Sequence, residues 1–159
     1  MQNIIDPEKV VQRIKDLDET YTNVNLNAHA TTPEGGGPAE AAKNETAIAV
    51  ANAIKDAGDD CKVEELHMSA ANIRDDGAVA IGEALKVNKS IKKMTLETNH
   101  IGGDGITALL KSLENNTTLE ELKLTNQSKP IPSAVEREAA KILDPNTTLQ
   151  KLSMSMREQ

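Results

Sequence analysis

The most informative absence in this sequence is that of aromatic side chains. The 159 residues include no Phe, no Trp and a single Tyr, Tyr21. Aromatic rings are the platforms on which proteins stack nucleic-acid bases, so their scarcity argues against a site that stacks bases or sugars. The core must therefore be built from Leu, Ile, Val, Met and Ala, and the chain is long enough for one domain with such a core.

Basic charge and cysteine are also scarce. The net charge is −7, and because phosphate binding requires a basic face, we expect neither nucleic acid nor a membrane as a partner. Cys61 is the only cysteine, which excludes an internal disulfide and a cysteine-based zinc site. We interpret it as a buried or merely tolerated thiol, because a redox role has no partner residue in the sequence. The histidines, His29, His67 and His100, are scattered singly, and we expect no metal and no cofactor.

Long apolar segments are absent as well. No apolar run approaches the length of a transmembrane helix, and the N-terminal stretch MQNIIDPEKVV lacks the apolar segment of a signal peptide. We therefore expect a soluble protein of the cytoplasm.

What the sequence does contain is a repeat. The pattern L-x-x-L-x-L recurs at a spacing of 28 residues, twice, and then of 30 residues. The copies are VEELHMSAANI from Val63, IKKMTLETNHI from Ile91, LEELKLTNQSK from Leu119 and LQKLSMSMREQ from Leu149, with a looser copy, YTNVNLNAHAT, from Tyr21. A period of this length with this pattern is the signature of leucine-rich repeats.

Each copy predicts a strand followed by a helix. Alternate residues of L-x-L point to one face of a strand, and the segments between the copies carry apolar residues at helical spacings of three and four. The predicted fold class is α/β: a leucine-rich-repeat βα solenoid with about five parallel strands on the concave face and helices on the convex face. Strands are expected near 23–27, 64–69, 92–97, 120–125 and 150–155.

Several residues are candidates for starting the helices. The stretch Asp-Pro-Glu at 6–8 is typical of a helix start with Pro in its first turn. Asp76 and Asp104 are candidate N-caps, and Ser133 with Glu136 is a candidate capping box.

The helices and their ends are expected to repeat as well. The helix at 78–86 is expected to bury Val79, Ile81 and Leu85 on one apolar face. Asparagine tolerates the left-handed conformation that ends many helices, which is our interpretation of the polar turns at Asn88, Asn116 and Asn146.

The segment 30–44, ATTPEGGGPAEAAKN, interrupts the repeat. Its three consecutive glycines, its two prolines and its lack of large apolar residues predict a flexible loop. A phosphate-binding loop at Gly35–Gly37 is disfavoured, because the lysine and hydroxyl residue that such a loop needs do not follow. The chain is thus predicted to be a single leucine-rich-repeat domain over 1–159, with this flexible loop inside it.

No constellation of catalytic residues stands out on the predicted concave face. His67 and Thr95 are expected to be neighbours there, as are Lys123 and Glu97, but no Ser–His–Asp set emerges. We name no catalytic residue and expect no enzyme. Asn99, at the strand end, is predicted to bind backbone groups left free at the bend.

The stretch SIKKMTLETNHIGGDGITALLKSLENNTTLEELKLTNQSKP, followed by SAVEREAAKILDPNTTLQKLSMSM, resembles the leucine-rich-repeat domain of the tropomodulin and leiomodin family. Upstream, IKDLDETYTNVNLNA resembles the first rung of that domain. The resemblance implies a non-enzymatic, actin-binding domain of the cytoskeleton that regulates the pointed end of filaments. We expect it to be a monomer. Tropomyosin is not expected as a partner, because the N-terminal region that binds it in this family is absent from the sequence.

The resemblance also implies that partners are contacted by the loops that join each strand to its helix. On those loops we expect polar contacts from Asn72, Arg74, His100, Asn126, Gln127 and Lys129. Two alternatives stay open: a repeat adaptor with a protein partner other than actin, and, less favoured, an enzyme.

Overall fold

The structure is a computed structural model that describes residues 6–27 and 43–155. In these residues short strands alternate with helices. The helices are α1 (Pro7–Lys15), α2 (Asn44–Ala57), α3 (Asp75–Val87), α4 (Gly103–Ser112) and α5 (Ser133–Leu143). The strands are β1 (Asn23–Asn25), β2 (Glu65–His67), β3 (Lys93–Thr95), β4 (Glu121–Lys123) and β5 (Lys151–Ser153).

The five strands form one parallel sheet in chain order. The central residues of neighbouring strands are paired, and they are Val24, Leu66, Met94, Leu122 and Leu152. The predicted βα solenoid is confirmed. Because the strand register follows the sequence period, residues that are one period apart lie side by side on neighbouring rungs.

The core between the sheet and the helices is aliphatic, as the composition requires. Leu66, Met94 and Leu122 are at most 1% exposed. Cys61 is 4% exposed, so the interpretation of this thiol as buried is confirmed. In the last rung Leu152 and Met154 are only half-buried. No further rung among the described residues covers that end of the sheet.

The strands are shorter than the sequence predicts because the backbone turns soon after each one. Backbone hydrogen bonds continue past the strand ends, from Thr98 N to Thr125 O for example. Ala70, Thr98 and Asn126 then adopt left-handed φ values of 54°, 58° and 59°. This turn, repeated in three rungs, directs the chain away from the sheet and toward the next helix.

One predicted helical face is partly wrong. Ile81 and Leu85 of α3 are buried as expected, but Val79 is 40% exposed. Ala78 points inward in its place, because Ala78, Ile81 and Leu85 complete the spacing of three and four that faces the core.

Part of the predicted loop lies outside the described residues. This holds for residues 30–42 of the 30–44 segment and for His29, so the flexible loop and the single-domain boundaries stay predictions. Within the described ranges, no helix is long and apolar enough to cross a membrane.

Candidate protein-binding edge

Three loops lead from the strands to the helices along one edge of the sheet. They are 68–74 between β2 and α3, 96–102 between β3 and α4, and 124–132 between β4 and α5. We call this set the strand-exit edge. All six residues predicted to contact a partner lie on it, so the structure brings them together in three consecutive rungs.

Asn99 ties two neighbouring loops of this edge together from the inside. It is 1% exposed. Its Oδ1 accepts hydrogen bonds from Ala71 N and Ile73 N at 2.9 and 3.1 Å. Its Nδ2 donates to Met68 O and Leu96 O at 3.0 and 2.9 Å. The prediction that Asn99 binds free backbone groups at the bend is confirmed.

Gln127 continues this inner ladder in the next rung. Its Oε1 accepts from Ile101 N at 3.1 Å, and its Nε2 donates to Leu96 O at 2.9 Å and Leu124 O at 3.1 Å. The side-chain amide is therefore held by the backbone of two rungs. Whether Gln127 also contacts a partner stays a prediction.

An outer column of exposed side chains runs parallel to the inner ladder. It consists of Asn72, His100 and Ser128, each 28 residues from the next. The imidazole Nδ1 of His100 lies 2.7 Å from Ser128 Oγ, and its Nε2 lies 3.3 Å from Asn72 Oδ1. Sequence reasoning selected the first two members and missed Ser128, although its distance from His100 is one repeat period.

Arg74 is the residue that precedes α3. Its backbone N–H donates to Asn44 Oδ1 of the preceding rung at 2.9 Å. Its side chain is exposed and forms no ion pair with the described residues. A guanidinium without an ion-pair partner among the described residues can make a bidentate contact with a partner protein.

The start of α1 follows the prediction, with Asp6 as N-cap and Pro7 in the first turn, but the starts of α3 and α4 differ from it. Arg74 and Gly102 are the N-caps of α3 and α4, and neither makes a side-chain capping bond. Asp76 and Asp104 lie inside the first turn, so the prediction that they are N-caps is wrong. The carboxylate that caps α4 comes from another rung: Asp75 Oδ1 accepts from Gly102 N at 2.5 Å and from Gly105 N at 3.3 Å.

Asp75 also holds the third loop. Its Oδ2 lies 3.4 Å from Lys129 Nζ. The lysine chain passes over Gly102, where an added Cβ would lie 3.1 Å from Lys129 Cδ. Glycine at this position therefore leaves room for an ion pair that links loop 124–132 to the start of α3.

At the start of α5 a corresponding carboxylate cap is absent, because both its acceptor and its donor are missing. Position 103, which is equivalent to Asp75, is a glycine, and the N-cap of α5 is Pro132, which has no N–H to donate. An added Cβ at Gly103 would lie 3.1 Å from Pro132 Cδ. Ser133 is the first residue of α5, so the predicted capping box with Ser133 as N-cap is wrong.

The opposite edge of the sheet contains the turns 88–92, 113–120 and 144–150, which lead from each helix to the next strand. We call it the helix-exit edge. Its asparagines are not left-handed: among the described residues, positive φ values occur elsewhere, and the helix-ending Asn88 has φ −75°. Asn116 is buried, with Nδ2 donating to Leu85 O at 2.8 Å and Oδ1 accepting from Leu119 N at 2.8 Å. These asparagines tie one turn to the next.

The concave face between the two edges neutralises its own charge. It carries three carboxylates and three lysines, Glu65, Glu97, Glu121, Lys93, Lys123 and Lys151. Lys93 Nζ donates to Glu65 at 2.9 Å and holds the pKa of that carboxyl below its usual value. Lys151 lies 3.1 Å from Glu121 and lowers its pKa in the same way.

The two predicted contacts on this face had different outcomes. His67 Nδ1 lies 3.2 Å from Thr95 Oγ1, so that neighbour pair is confirmed. Glu97 is instead hydrogen-bonded by the hydroxyl of Thr125, and Lys123 lies 3.4 Å from Glu121. The predicted contact between Lys123 and Glu97 is wrong. In the sheet register Lys123 is paired with Thr95, two residues before Glu97. No group of His, Cys, Asp and Glu in the described ranges could hold a metal ion.

Comparisons with known proteins agree with this architecture. A family model described as the TMOD/LMOD leucine-rich domain matches residues 3–159. The chain is 36% identical to leiomodin-2 of Rattus norvegicus over 147 residues, which is 91% of this chain and 24% of that protein. It is 32% identical to human leiomodin-1 over 145 residues, or 91% of this chain and 22% of that one. The chain thus spans less than a quarter of the length of these relatives.

Solved structures give the same result. The structure of leiomodin-1 actin-binding site 2 (ABS2) matches with a TM-score of 0.80 and 31% identity, over 95% of this chain and 80% of that chain. The tropomodulin C-terminal domain of Caenorhabditis elegans has the same fold, with a TM-score of 0.79 and 18% identity over 97% of this chain and 85% of that one. By its sequence and its fold, the chain belongs to the tropomodulin and leiomodin family, as a leucine-rich domain of that family.

Proposed function

We propose that this domain binds actin. The observation that carries the proposal is the likeness to leiomodin-1 actin-binding site 2, at 31% identity over 95% of this chain with a TM-score of 0.80. The match covers only 24% of leiomodin-2, so the leiomodins are about four times as long as this chain. We propose regulation of filament pointed ends as the wider role, to which this domain contributes actin binding.

The strand-exit edge is the surface that we propose for the contact. Asn72, Arg74, His100, Asn126 and Lys129 are all exposed there. The loops that carry them are already held by the inner ladder of Asn99 and Gln127, so little conformational freedom would be lost on binding. We propose that Gln127, the sixth predicted residue, acts mainly by fixing the loop.

The other surfaces fit a partner less well. The concave face pairs its own charges across the strands, and breaking such pairs would oppose binding. On the helix-exit edge, Asn88 and Asn116 are buried and already bonded to the chain itself. On the strand-exit edge, the exposed guanidinium of Arg74 forms no ion pair with the described residues and can therefore bond to a partner.

We further propose that the domain acts by binding and not by catalysis, at the actin cytoskeleton and as a monomer. No cofactor, nucleic acid, membrane or tropomyosin contact is part of the proposal. The alternative function is that of a repeat adaptor with another protein partner, and the following experiment distinguishes it from actin binding.

The test is the elongation rate of actin filaments whose barbed ends are blocked, together with co-pelleting at tens of micromolar, an order typical of weak contacts. The domain is expected to slow elongation or to pellet with filaments. The double variant Arg74→Ala/Lys129→Ala should weaken either effect. Its matched control, Lys111→Ala/Lys141→Ala, removes the same charge from exposed positions on α4 and α5 and should not. No slowing and no co-pelleting by the unmodified domain would contradict actin binding and leave the adaptor.

A further inference from the structure

We infer that Ser128 is a positioning residue of the strand-exit edge, where it fixes His100 in one orientation for the partner. This inference rests on the proposed function, because it assigns a role within the same site. Ser128 was not among the residues expected from the sequence. Two observations support this role: both ring nitrogens of His100 are hydrogen-bonded, and the residues on either side of Ser128 are anchored.

The backbone brings the outer column into register. His100 N donates to Ile73 O at 2.8 Å, and Ser128 N donates to Asn99 O at 2.9 Å. Ile73 follows Asn72 and Asn99 precedes His100, so each bond joins a member of the column to a residue next to the corresponding member of the neighbouring rung. The main chain thus brings Asn72, His100 and Ser128 close together along the edge.

The hydrogen bonds of the column determine the tautomer of the neutral His100 ring. Asn72 Oδ1 can only accept, so His100 Nε2 must carry the proton that it donates across 3.3 Å. Nδ1 then has a lone pair and accepts from the Ser128 hydroxyl at 2.7 Å. The bond to Ser128 is the shorter of the two.

Ser128 can hold the ring because both of its neighbours are anchored. On one side Gln127 is bonded to the backbone of two rungs, for example to Leu96 O at 2.9 Å. On the other side Lys129 is paired with Asp75 at 3.4 Å. The segment that carries the hydroxyl is thus held on both sides, even though Ser128 is exposed and loop 124–132 is two residues longer than the loops of the two preceding rungs.

The consequence for binding concerns what His100 presents to a partner. With both ring nitrogens bonded along the edge, the ring meets a partner with its face and its C–H groups in a fixed plane. A side chain that is already ordered loses less entropy when a complex forms. Removal of the Ser128 hydroxyl should free the ring to rotate and weaken binding, with little change in the stability of the fold.

The test combines a readout on the ring with a readout on binding. In the full chain, nitrogen NMR of the imidazole should show His100 as the Nε2–H tautomer with Nδ1 accepting a hydrogen bond. Ser128→Ala should shift the Nδ1 resonance and raise the Kd for actin about fivefold, the loss expected for an unfixed side chain. Ser128→Thr, which keeps the hydroxyl, should restore both. The control Thr117→Ala, at an exposed position on the helix-exit edge, should change neither.

The outcomes separate the inference from the proposed function. If the unmodified domain binds actin and Ser128→Ala binds equally well, the positioning role is overturned and actin binding stands. An unchanged His100 spectrum in Ser128→Ala would also overturn it, whatever the affinity. If Ser128→Ala instead lowers the melting temperature by many degrees, Ser128 is a structural residue and the inference is wrong. If the unmodified domain does not bind actin, the proposed function itself fails.

Discussion

The two edges of the sheet are built from similar polar residues but differ in what stands outside their buried layer. At the helix-exit edge, Asn88 and Asn116 are 2% and 4% exposed and bond to their own chain. At the strand-exit edge, Asn99 and Gln127 do the same from inside, but a second column, Asn72, His100 and Ser128, stands outside them and is exposed. Both edges thus have a buried layer of amides, and the strand-exit edge adds an exposed column whose side chains are hydrogen-bonded from rung to rung.

The difference teaches how a repeat protein can separate stability from recognition. A buried amide that satisfies backbone groups is expensive to remove, because the groups it leaves behind lose their partners. An exposed column over such a layer can change with little effect on folding, since surface substitutions generally have small effects. The second layer is thus where a binding surface can vary from one relative to another.

The largest effect is expected at the helix-exit edge. Asn116→Ala should lower the free energy of unfolding by about 3 kcal/mol, because it removes several hydrogen bonds from a buried site. Asn116 donates to Leu85 O and accepts from Thr118 N and Leu119 N. Chemical denaturation would measure the loss. The neighbouring Asn115→Ala, at an exposed position, is the control, and equal losses in the two variants would break the comparison between buried and exposed layers.

The inner layer of the strand-exit edge comes next. Gln127→Ala should lower the free energy of unfolding by about 2 kcal/mol, because Ile101 N, Leu96 O and Leu124 O lose a partner. It should also weaken actin binding, since the neighbouring Ser128 would lose its anchor. A variant with unchanged stability and weaker binding would show instead that Gln127 contacts the partner directly.

The sequence could predict the columns but not the direction in which their members point. The 28-residue period placed Leu66, Met94 and Leu122 in register and marked Asn99 as the residue of the bend. Asn88 and Asn126 both stand in Asn-x-Ser, yet the first is buried and the second is exposed with φ 59°. The position within the repeat decides between the two, because Asn88 ends α3 and accepts from Ser90 N and Ile91 N of its own turn. The three-residue pattern alone does not contain that position.

The bonds between rungs were missed for the same reason. The cap of α4 by Asp75 and the contact of Ser128 with His100 join residues 27 to 30 positions apart. Capping patterns describe neighbours within one helix start, so they pointed to Asp76 and Asp104 instead. The repeat period contained the signal, because Asp75 stands about one period before Gly102 and Gly105, whose N–H groups it binds.

In the outer layer we expect the opposite of the Asn116→Ala result, namely weaker binding with little change in stability. His100→Ala is expected to raise the Kd for actin about tenfold, or about 1.4 kcal/mol, and to leave the free energy of unfolding within about 0.5 kcal/mol of the unmodified domain. Co-pelleting and denaturation on the same samples would measure both. If the loss of stability exceeds the loss of binding, the outer column belongs to the structural layer and the two edges are alike.

The smallest effect concerns the turns that present the outer layer. Ala70, Thr98 and Asn126 are left-handed at equivalent positions, and this conformation is unfavourable for a β-branched residue but tolerated by asparagine. Thr98→Asn should therefore raise the free energy of unfolding by about 1 kcal/mol, or about 2–4 °C in melting temperature. Asn126→Thr should lower it by a similar amount, because it introduces the same strain one rung later. Effects of the same sign in the two variants would mean that the turns are not equivalent, and that the strand-exit edge carries different strain in each rung.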